Sequence, residues 1–438
     1  MTLRHVATGM QDQILTDQPN PTSVLLDSGV SIRPLILRSL GWTGAARGVA
    51  AVGVVVRYVI FARLLSPFDF GVVGAANLAY SVLSALTNPY FDSALVAQHD
   101  EIVPYLDTVW LTMLIQALII WIGLFVCALP LSTFFHIPGA FRAFWAIGAV
   151  ALLTAVRSPA SGSQIYRKMD FRISFVLTLA EQLGGFASGL AGIAFFGDWR
   201  GLMIAMYGDT IARSVFTYWY FPYWPRFQFD VARFRKMFSY GKWLTVRKVA
   251  DYLCHNLDNL VVGHLLGARV LGEYQMAFRL GQMPATEIGN VAALVAFPLV
   301  SRISNERSQR WRFYLWISGA LASVGIFYAL FLLRFGTPLV TATVGVKWLG
   351  AMPAIKLLCW YGVGQGLLIV GTHFLDGLGK PGASFSASLL GIATLSVLIY
   401  PLTLRYGAVG AAFAAIISVF LPVPMIFKLC RAATKRDI

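Results

Sequence analysis

Residues 239–263 read SYGKWLTVRKVADYLCHNLDNLVVG, and the way this stretch is read decides the fold. It is long enough to cross a bilayer and is bounded by glycines, yet it carries Arg247, Lys248, Asp251, His255 and Asp258. At about 100° per residue, those groups and Asn259 fall within an arc of roughly 120°. Val246, Val249, Leu253, Leu257, Leu260 and Val261 occupy the other side. The stretch therefore reads as a membrane-spanning helix with a polar stripe. A charge at membrane depth costs about 2.5–3.5 kcal/mol even on lenient insertion scales. The stripe must then face protein or water, which marks it as a candidate substrate or ion path.

The composition of the whole chain supports that reading. Its 438 residues are 57% hydrophobic, 14% aromatic and only 13% charged, and mean hydropathy is +0.68. Soluble domains carry about 25% charged residues, so the chain is expected to be integral to a membrane. The net charge of +15 does not point to nucleic acid, because Lys and Arg lie in short loops between apolar segments. That distribution serves topology and attraction to anionic or phosphorylated lipid. Cys127, Cys254, Cys359 and Cys430 stand apart, without metal-ligand or disulfide spacing, and read as apolar fillers.

No cleavable signal peptide is apparent. Residues 1–37 read as a polar cytoplasmic tail broken by Pro19-Asn20-Pro21. Apolar segments then recur at roughly 40–64, 70–90, 107–131, 140–158, 173–196, 201–221, 239–263, 271–298, 313–333, 351–373, 382–404 and 408–428, each near the ~20 residues a spanning helix needs. With the N-terminus inside, the tails and even-to-odd loops hold 21 Lys and Arg against 6 in the opposite loops. Both termini are thus expected in the cytoplasm. His99-Asp100-Glu101 is the dissenting loop, cytoplasmic yet without a Lys or Arg.

The two halves repeat. Ala62-Arg63-Leu64-Leu65 followed by Gly71 matches Gly263-His264-Leu265-Leu266 followed by Gly272, at an offset of 201. Ser39-Leu40-Gly41 parallels Ser239-Tyr240-Gly241, and the glycine turn at Gly197 parallels that at Gly407. The expected architecture is all-α, with about twelve transmembrane helices in two pseudo-symmetric six-helix bundles around a central cavity. The expected divisions are the tail at 1–37, a first bundle at 38–222, a cytoplasmic amphipathic linker helix at 223–238, a second bundle at 239–430 and a basic tail at 431–438. The linker reading rests on Phe227, Val231, Phe234 and Phe238 at i, i+4, i+7 and i+11, with Arg226, Arg233, Arg235 and Lys236 on other faces. A plain loop satisfying the positive-inside bias is the alternative. Repeat halves commonly place a substrate site at their interface.

Several runs resemble a known family. Ala62-Arg63-Leu64-Leu65-Ser66-Pro67-Phe68-Asp69-Phe70-Gly71 looks like the turn from the first to the second helix of polysaccharide-transporter flippases. Asn256-Leu257-Asp258-Asn259-Leu260-Val261-Val262-Gly263, leading to Gly272 and Tyr274, is similar to their seventh-to-eighth helix signature. Arg167-Lys168-Met169-Asp170-Phe171-Arg172 and Lys347-Trp348-Leu349-Gly350-Ala351-Met352-Pro353 fit the same family. The resemblance covers roughly residues 38–430 and points to the multidrug/oligosaccharidyl-lipid/polysaccharide exporter superfamily, among flippases similar to those for colanic acid or xanthan repeat units. It implies a V-shaped pair of bundles with alternating access. The implied cargo is an undecaprenyl-diphosphate-linked oligosaccharide, moved across the bacterial inner membrane for capsular, exopolysaccharide or O-antigen synthesis. Membrane lipids, H⁺ or Na⁺, and a polysaccharide polymerase or chain-length protein are the partners it admits. Many members have fourteen helices, so roles carried by the last two are not expected here.

A lipid diphosphate calls for cations in a wet cavity, and the planar guanidinium can donate two hydrogen bonds to phosphate while staying charged. Arg47, Arg57, Arg213, Arg247, Lys248 and Arg279 are the candidates. Against each stands a plainer role: Arg47 and Arg247 can snorkel to headgroups, and Arg213 can pair with Asp209 four residues earlier. Asp251, His255, Glu181 and Asp209 are candidates for ion coupling or for balancing the arginines. Histidine titrates near physiological pH, so the Asp251–His255 step can couple to a gradient or simply hold helices together. Gly184, Gly185, Gly189 and Gly192 read as a close-packing face rather than a phosphate loop. No Walker, metal or acyl-transfer motif occurs, so no cofactor and no enzymatic role are expected. The rivals are a cation-coupled drug exporter of the same superfamily, which acids rather than arginines would suit, and a membrane polymerase or glycosyltransferase on the same lipid.

Overall fold

The computed structural model describes residues 48, 52–88, 91, 103–159, 171–221, 225–302 and 307–435. The described residues are helical or irregular, with no strand among them. In chain order they form α1 (52–64), α2 (Pro67–Thr87), α3 (Val103–Val126), the short α4 (Ala128–Phe134), α5 (Arg142–Ala155), α6 (Phe171–Phe196) and α7 (Trp199–Tyr220). There follow α8 (Val231–Arg302), α9 (Arg307–Thr343), α10 (Met352–Gly377), α11 (Pro381–Phe420) and α12 (Pro422–Lys435).

Seven helical stretches among the described residues are long and apolar enough to cross a membrane. They cover the expected second, third, fourth, fifth, ninth and tenth spans, and one stretch of 53 residues takes in the eleventh and twelfth. The expected sixth span falls on α7, and the expected seventh and eighth on the two arms of α8. Their charged and polar residues make these less apolar than the rest. Large apolar side chains stand out from the helices, with Phe195 85% and Phe327 74% exposed, as surfaces meant for lipid require.

Local chemistry sets the helix boundaries. Ser66-Pro67-Phe68-Asp69 opens α2 as a capping box: Asp69 N–H donates to Ser66 Oγ at 3.3 Å, and Ser66 N–H donates to Asp69 Oδ2 at 3.0 Å. Pro67 sits where its missing N–H costs nothing. Gly197, at φ 65°, reverses the chain after α6, and Asp198 caps α7 by accepting from Arg200 N–H at 2.9 Å. Gly407, its partner in the sequence repeat, is also left-handed, at φ 61°, and breaks α11 there. Gly267, at φ 79° and ψ 177°, divides α8 into its two arms.

The expected linker helix differs from the observed one in extent. Residues 225–230 are not helical; α8 begins at Val231, where Asp230 Oδ1 accepts from Ala232 and Arg233 N–H at 2.9 and 3.1 Å. It then runs through Gly241 into the seventh span without a break. A lone glycine weakens a helix by only about 1 kcal/mol and does not have to end it. Phe234 and Met237 pack against Phe91, Leu106, Val109, Trp110, Leu177 and Phe221. Phe227, Val231 and Phe238 remain exposed beside Arg226 and Arg235.

The chain divides into two compact units. The first takes residues up to Leu65, Ala79–Ser132 and Pro138–Leu253. Within it α6 and α7 approach closely through small residues: a Cβ on Gly184 would meet Ala212 and the Gly208 carbonyl, and one on Gly189 would meet Phe61 and Ala205. The glycine face read from the sequence is thus a packing face.

The second unit takes Ser66–Leu78, Thr133–Ile137 and Cys254–Ile438, with a core that includes Tyr314, Val370, Phe374, Leu375 and Ile426. Here the sequence repeat becomes a physical contact. A Cβ on Gly71 would strike the Ala268 carbonyl, and one on Gly272 would strike the Pro67 carbonyl. Gly71 and Gly272 are 201 residues apart, as are Pro67 and Ala268, so each half's glycine lies against the other half's equivalent backbone. Phe70 meets the buried Trp348 edge-on at 5.2 Å, and His264 stacks on Phe134 at 4.1 Å while its Nδ1 lies 3.0 Å from the Phe134 carbonyl.

Because backbone rather than a flexible side chain blocks the space, Gly71→Val is expected to cost about 1–3 kcal/mol by overpacking. Thermal unfolding in detergent checks this against Gly319→Ala, a helical glycine with open space around its Cβ position. Equal stability of the two variants would contradict the close approach.

Candidate functional site

The first unit holds four partly buried charges in two pairs. Arg57 on α1 donates from a terminal guanidinium nitrogen to Asp209 Oδ1 on α7 at 2.6 Å. Arg213, one turn further along α7, pairs with Glu181 on α6. The side chains of Arg57 and Asp209 are only 22% and 18% exposed. The spacing on α6 explains how the pair is accommodated. Gly185 lies one turn from Glu181, and a Cβ there would collide with both Asp209 Oδ1 and the Arg57 guanidinium. A glycine at that level leaves room for an ion pair that any other residue would displace.

The sequence offered an Asp209–Arg213 pair along one helix, and the structure pairs these residues differently. Asp209 turns to α1 and Arg213 turns to α6, so three helices are tied together instead of one helix being neutralised locally. Exposed i,i+4 pairs contribute a few tenths of a kcal/mol, whereas a charge left alone at membrane depth costs several times that. Cross-helix pairing satisfies Arg57, which the local pair would leave unmatched.

The other candidates are placed as follows. Arg47 lies outside the described residues, as do the side chains of Arg247, Lys248 and Asp251, although their backbone is helical within α8. His255 and Arg279 are exposed residues of the second unit. Asp258 is buried and accepts hydrogen bonds from the Tyr274 hydroxyl at 3.0 Å, from Asn259 N–H at 2.8 Å and from the Asn259 side-chain amide at 3.1 Å. Tyr274 is likewise buried, so the two signature residues Asp258 and Tyr274 join the arms of α8 across the break at Gly267.

A cavity of about 200 Å³ lies inside the first unit, between α2, α3 and α5, and no charge-led reading of the sequence finds it. Tyr80 and Ser84 line it from α2 with Asn88 just past that helix's end, Gln116 from α3 and Thr154 from α5, with Arg157 just past the end of α5. The Tyr80 hydroxyl is hydrogen-bonded with Ser84 and lies within Coulombic reach of Arg157. Arg157 is the only charged side chain among the described lining residues, and none of them is a carboxylate. The available signal was the spacing of Tyr80, Ser84 and Asn88 at i, i+4 and i+8, an uncharged polar stripe on an otherwise apolar span.

An all-α chain with several spans, a repeated half, and ion pairs and a polar cavity set inside one helical bundle is a multi-pass membrane protein of the transporter kind. The chain belongs to the family described as polysaccharide biosynthesis protein, whose profile matches residues 60–353. It is 26% identical over 373 residues to the succinoglycan biosynthesis transport protein ExoT of Rhizobium meliloti (strain 1021), covering 83% of this chain and 74% of that one. Among solved structures, its fold is similar to the lipid II flippase MurJ in an inward closed conformation, with a TM-score of 0.72 at 13% identity over 88% of this chain and 86% of that one. It is also similar to an inward-facing multidrug resistance MATE transporter of the MOP superfamily, with a TM-score of 0.61 at 15% identity over 95% and 99% of the two chains. The two structural likenesses show that the chain shares its fold with these transporters.

The half-buried Arg57–Asp209 pair should cost more to break than the ~0–1 kcal/mol of exposed pairs, approaching the ~3–5 kcal/mol of buried ones. Asp209→Ala is expected to destabilise the protein accordingly, and adding Arg57→Gln to recover much of the loss. A double-mutant cycle by thermal unfolding checks this; additive losses would mean the pair carries no coupling.

Proposed function

We propose that the protein is a flippase that carries an undecaprenyl-diphosphate-linked oligosaccharide repeat unit across the bacterial inner membrane, with both termini in the cytoplasm. The observation that carries the reading is the polarity of the intramembrane groups in the first unit. Its cavity has an arginine and no carboxylate among the described lining residues, which suits an anionic, hydroxyl-rich cargo better than a cationic drug. Family membership supports this reading, as does the relation to a protein whose own name assigns it to succinoglycan transport. The rival polymerase or glycosyltransferase gains no support from the paired carboxylates, because Asp209 and Glu181 are each engaged by an arginine.

In this reading the lipid tail stays in the bilayer while cations take the diphosphate and the sugars move through a wet path. Arg47, Arg57, Arg213, Arg247, Lys248 and Arg279 remain the candidates for phosphate contact. Arg57 and Arg213 are held by carboxylates, so a phosphate must displace Asp209 or Glu181 to reach them. A proton taken by either carboxylate would release its guanidinium to the cargo, which provides a route for H⁺ coupling. Asp251 and His255 are the corresponding candidates in α8, with H⁺ or Na⁺ as the ion. A polysaccharide polymerase or chain-length protein would receive the product.

Deleting the gene is expected to make lipid-linked repeat units accumulate on the cytoplasmic leaflet, with export restored by the wild-type chain. Undiminished export in the deletion, in a strain without a redundant flippase, would overturn the reading.

A further inference from the structure

The cavity between α2, α3 and α5 has a size and lining that go beyond a general polar path. About 200 Å³ lies below the ~300–1,000 Å³ of drug-sized sites. A single sugar ring is of that scale. Tyr80 and Ser84 on α2 and Asn88 just past its end line it at i, i+4 and i+8, spread over roughly 12 Å along the chain at 1.5 Å per residue.

The chemistry of the lining is equally selective. Gln116 is half-buried on an apolar helix and makes no hydrogen bond among the described residues. Its amide offers both a donor and an acceptor to the cavity, and a ligand that both accepts and donates can use the two together. A ring of hydroxyls does both, whereas an ion or an acyl chain does not. The Tyr80 hydroxyl and Ser84 are donors and acceptors of the same kind, and the Tyr80 and Phe91 rings offer flat apolar surfaces for a sugar's C–H face. Arg157, two residues past the end of α5, is the one positive charge among the described lining residues, and its planar guanidinium can meet a phosphate with two donors.

We propose that this cavity is a hexosyl-phosphate site, with Gln116, Asn88, Ser84 and Tyr80 reading the ring and Arg157 holding the phosphate. It rests on the flippase reading and deepens it: the cavity takes the first sugar of the cargo together with the phosphate that joins it to the lipid, and so sets which first sugar is accepted. The sugar phosphate can reach the cavity on its lipid carrier or as a soluble molecule. Both present the same ring and the same charge.

The test uses the purified full-length protein in detergent and follows thermal unfolding. The probes are α-hexose 1-phosphates of the gluco, galacto, manno and N-acetylglucosamine series, inorganic phosphate, and farnesyl diphosphate. At least one hexose 1-phosphate is expected to raise the melting temperature. Gln116→Leu should weaken that binding by about tenfold or more, the loss expected when a hydroxyl loses a good hydrogen-bonding partner. Arg157→Gln should weaken hexose 1-phosphate and inorganic phosphate alike, and Gln116→Leu should leave inorganic phosphate unchanged. Gln116→Leu places an apolar side chain in an apolar span, so its unliganded melting temperature should match wild type, and this separates ligand loss from misfolding.

Farnesyl diphosphate separates the sources. Competition between it and the hexose 1-phosphate supports a lipid-linked ligand, and independent binding of the two would overturn the lipid-linked assignment. No stabilisation by any hexose 1-phosphate, or equal stabilisation of wild type and Gln116→Leu, would overturn the site itself. Failure of the flippase reading shows up elsewhere, as normal export in the gene deletion, and can coexist with Gln116-dependent sugar-phosphate binding.

Discussion

The contact on which the first unit most depends is the hydrogen bond from Arg57 to Asp209. Water can satisfy a guanidinium in a soluble protein, but within a bilayer the counter-charge must be built into the fold. That requirement propagates through the neighbours. Asp209 must leave its own helix to reach α1, α6 must present Gly185 at that level, and Arg213 must find Glu181 instead. The small-residue face of α6 is therefore both a packing surface and the space in which the ion pair fits.

The same economy of space recurs in the second unit through glycine rather than charge. Gly71 and Gly272 bring equivalent parts of the two sequence halves into backbone contact, and Gly267 supplies the left-handed turn that lets α8 reverse there. Asp258 and Tyr274 then join the two arms of α8 by a buried hydrogen bond. A carboxylate at that depth has structural work in orienting the turn, which distinguishes it from the paired acids of the first unit.

Much of this was legible in the sequence, and the reasons are physical. Spans announce themselves because lipid demands long apolar runs, and the repeat is visible because its glycines cannot be replaced without collision. The capping box at Ser66 and Asp69 and the turns at Gly197 and Gly407 are local rules that need no tertiary information. What could not be read was pairing across helices. Asp209 and Arg213 at i,i+4 look like partners in one dimension, and only the approach of α1 and α6 assigns them elsewhere. The polar cavity escaped for a different reason: Tyr80, Ser84, Asn88 and Gln116 carry no charge, and a search led by charge passes over an uncharged stripe. Their significance appears only when α2, α3 and α5 bring them around one space.

The central claim is that this chain by itself moves a diphosphate-linked, hydroxyl-rich headgroup across a bilayer. The most direct measurement is reconstitution of the purified protein into liposomes containing a fluorescent prenyl-diphosphate oligosaccharide, followed by an impermeant reagent that reports which leaflet the headgroup occupies. The account predicts protein-dependent transfer between leaflets that is impaired when Arg57 is neutralised. Leaflet distributions identical in protein-containing and empty liposomes, under imposed H⁺ and Na⁺ gradients, would contradict it.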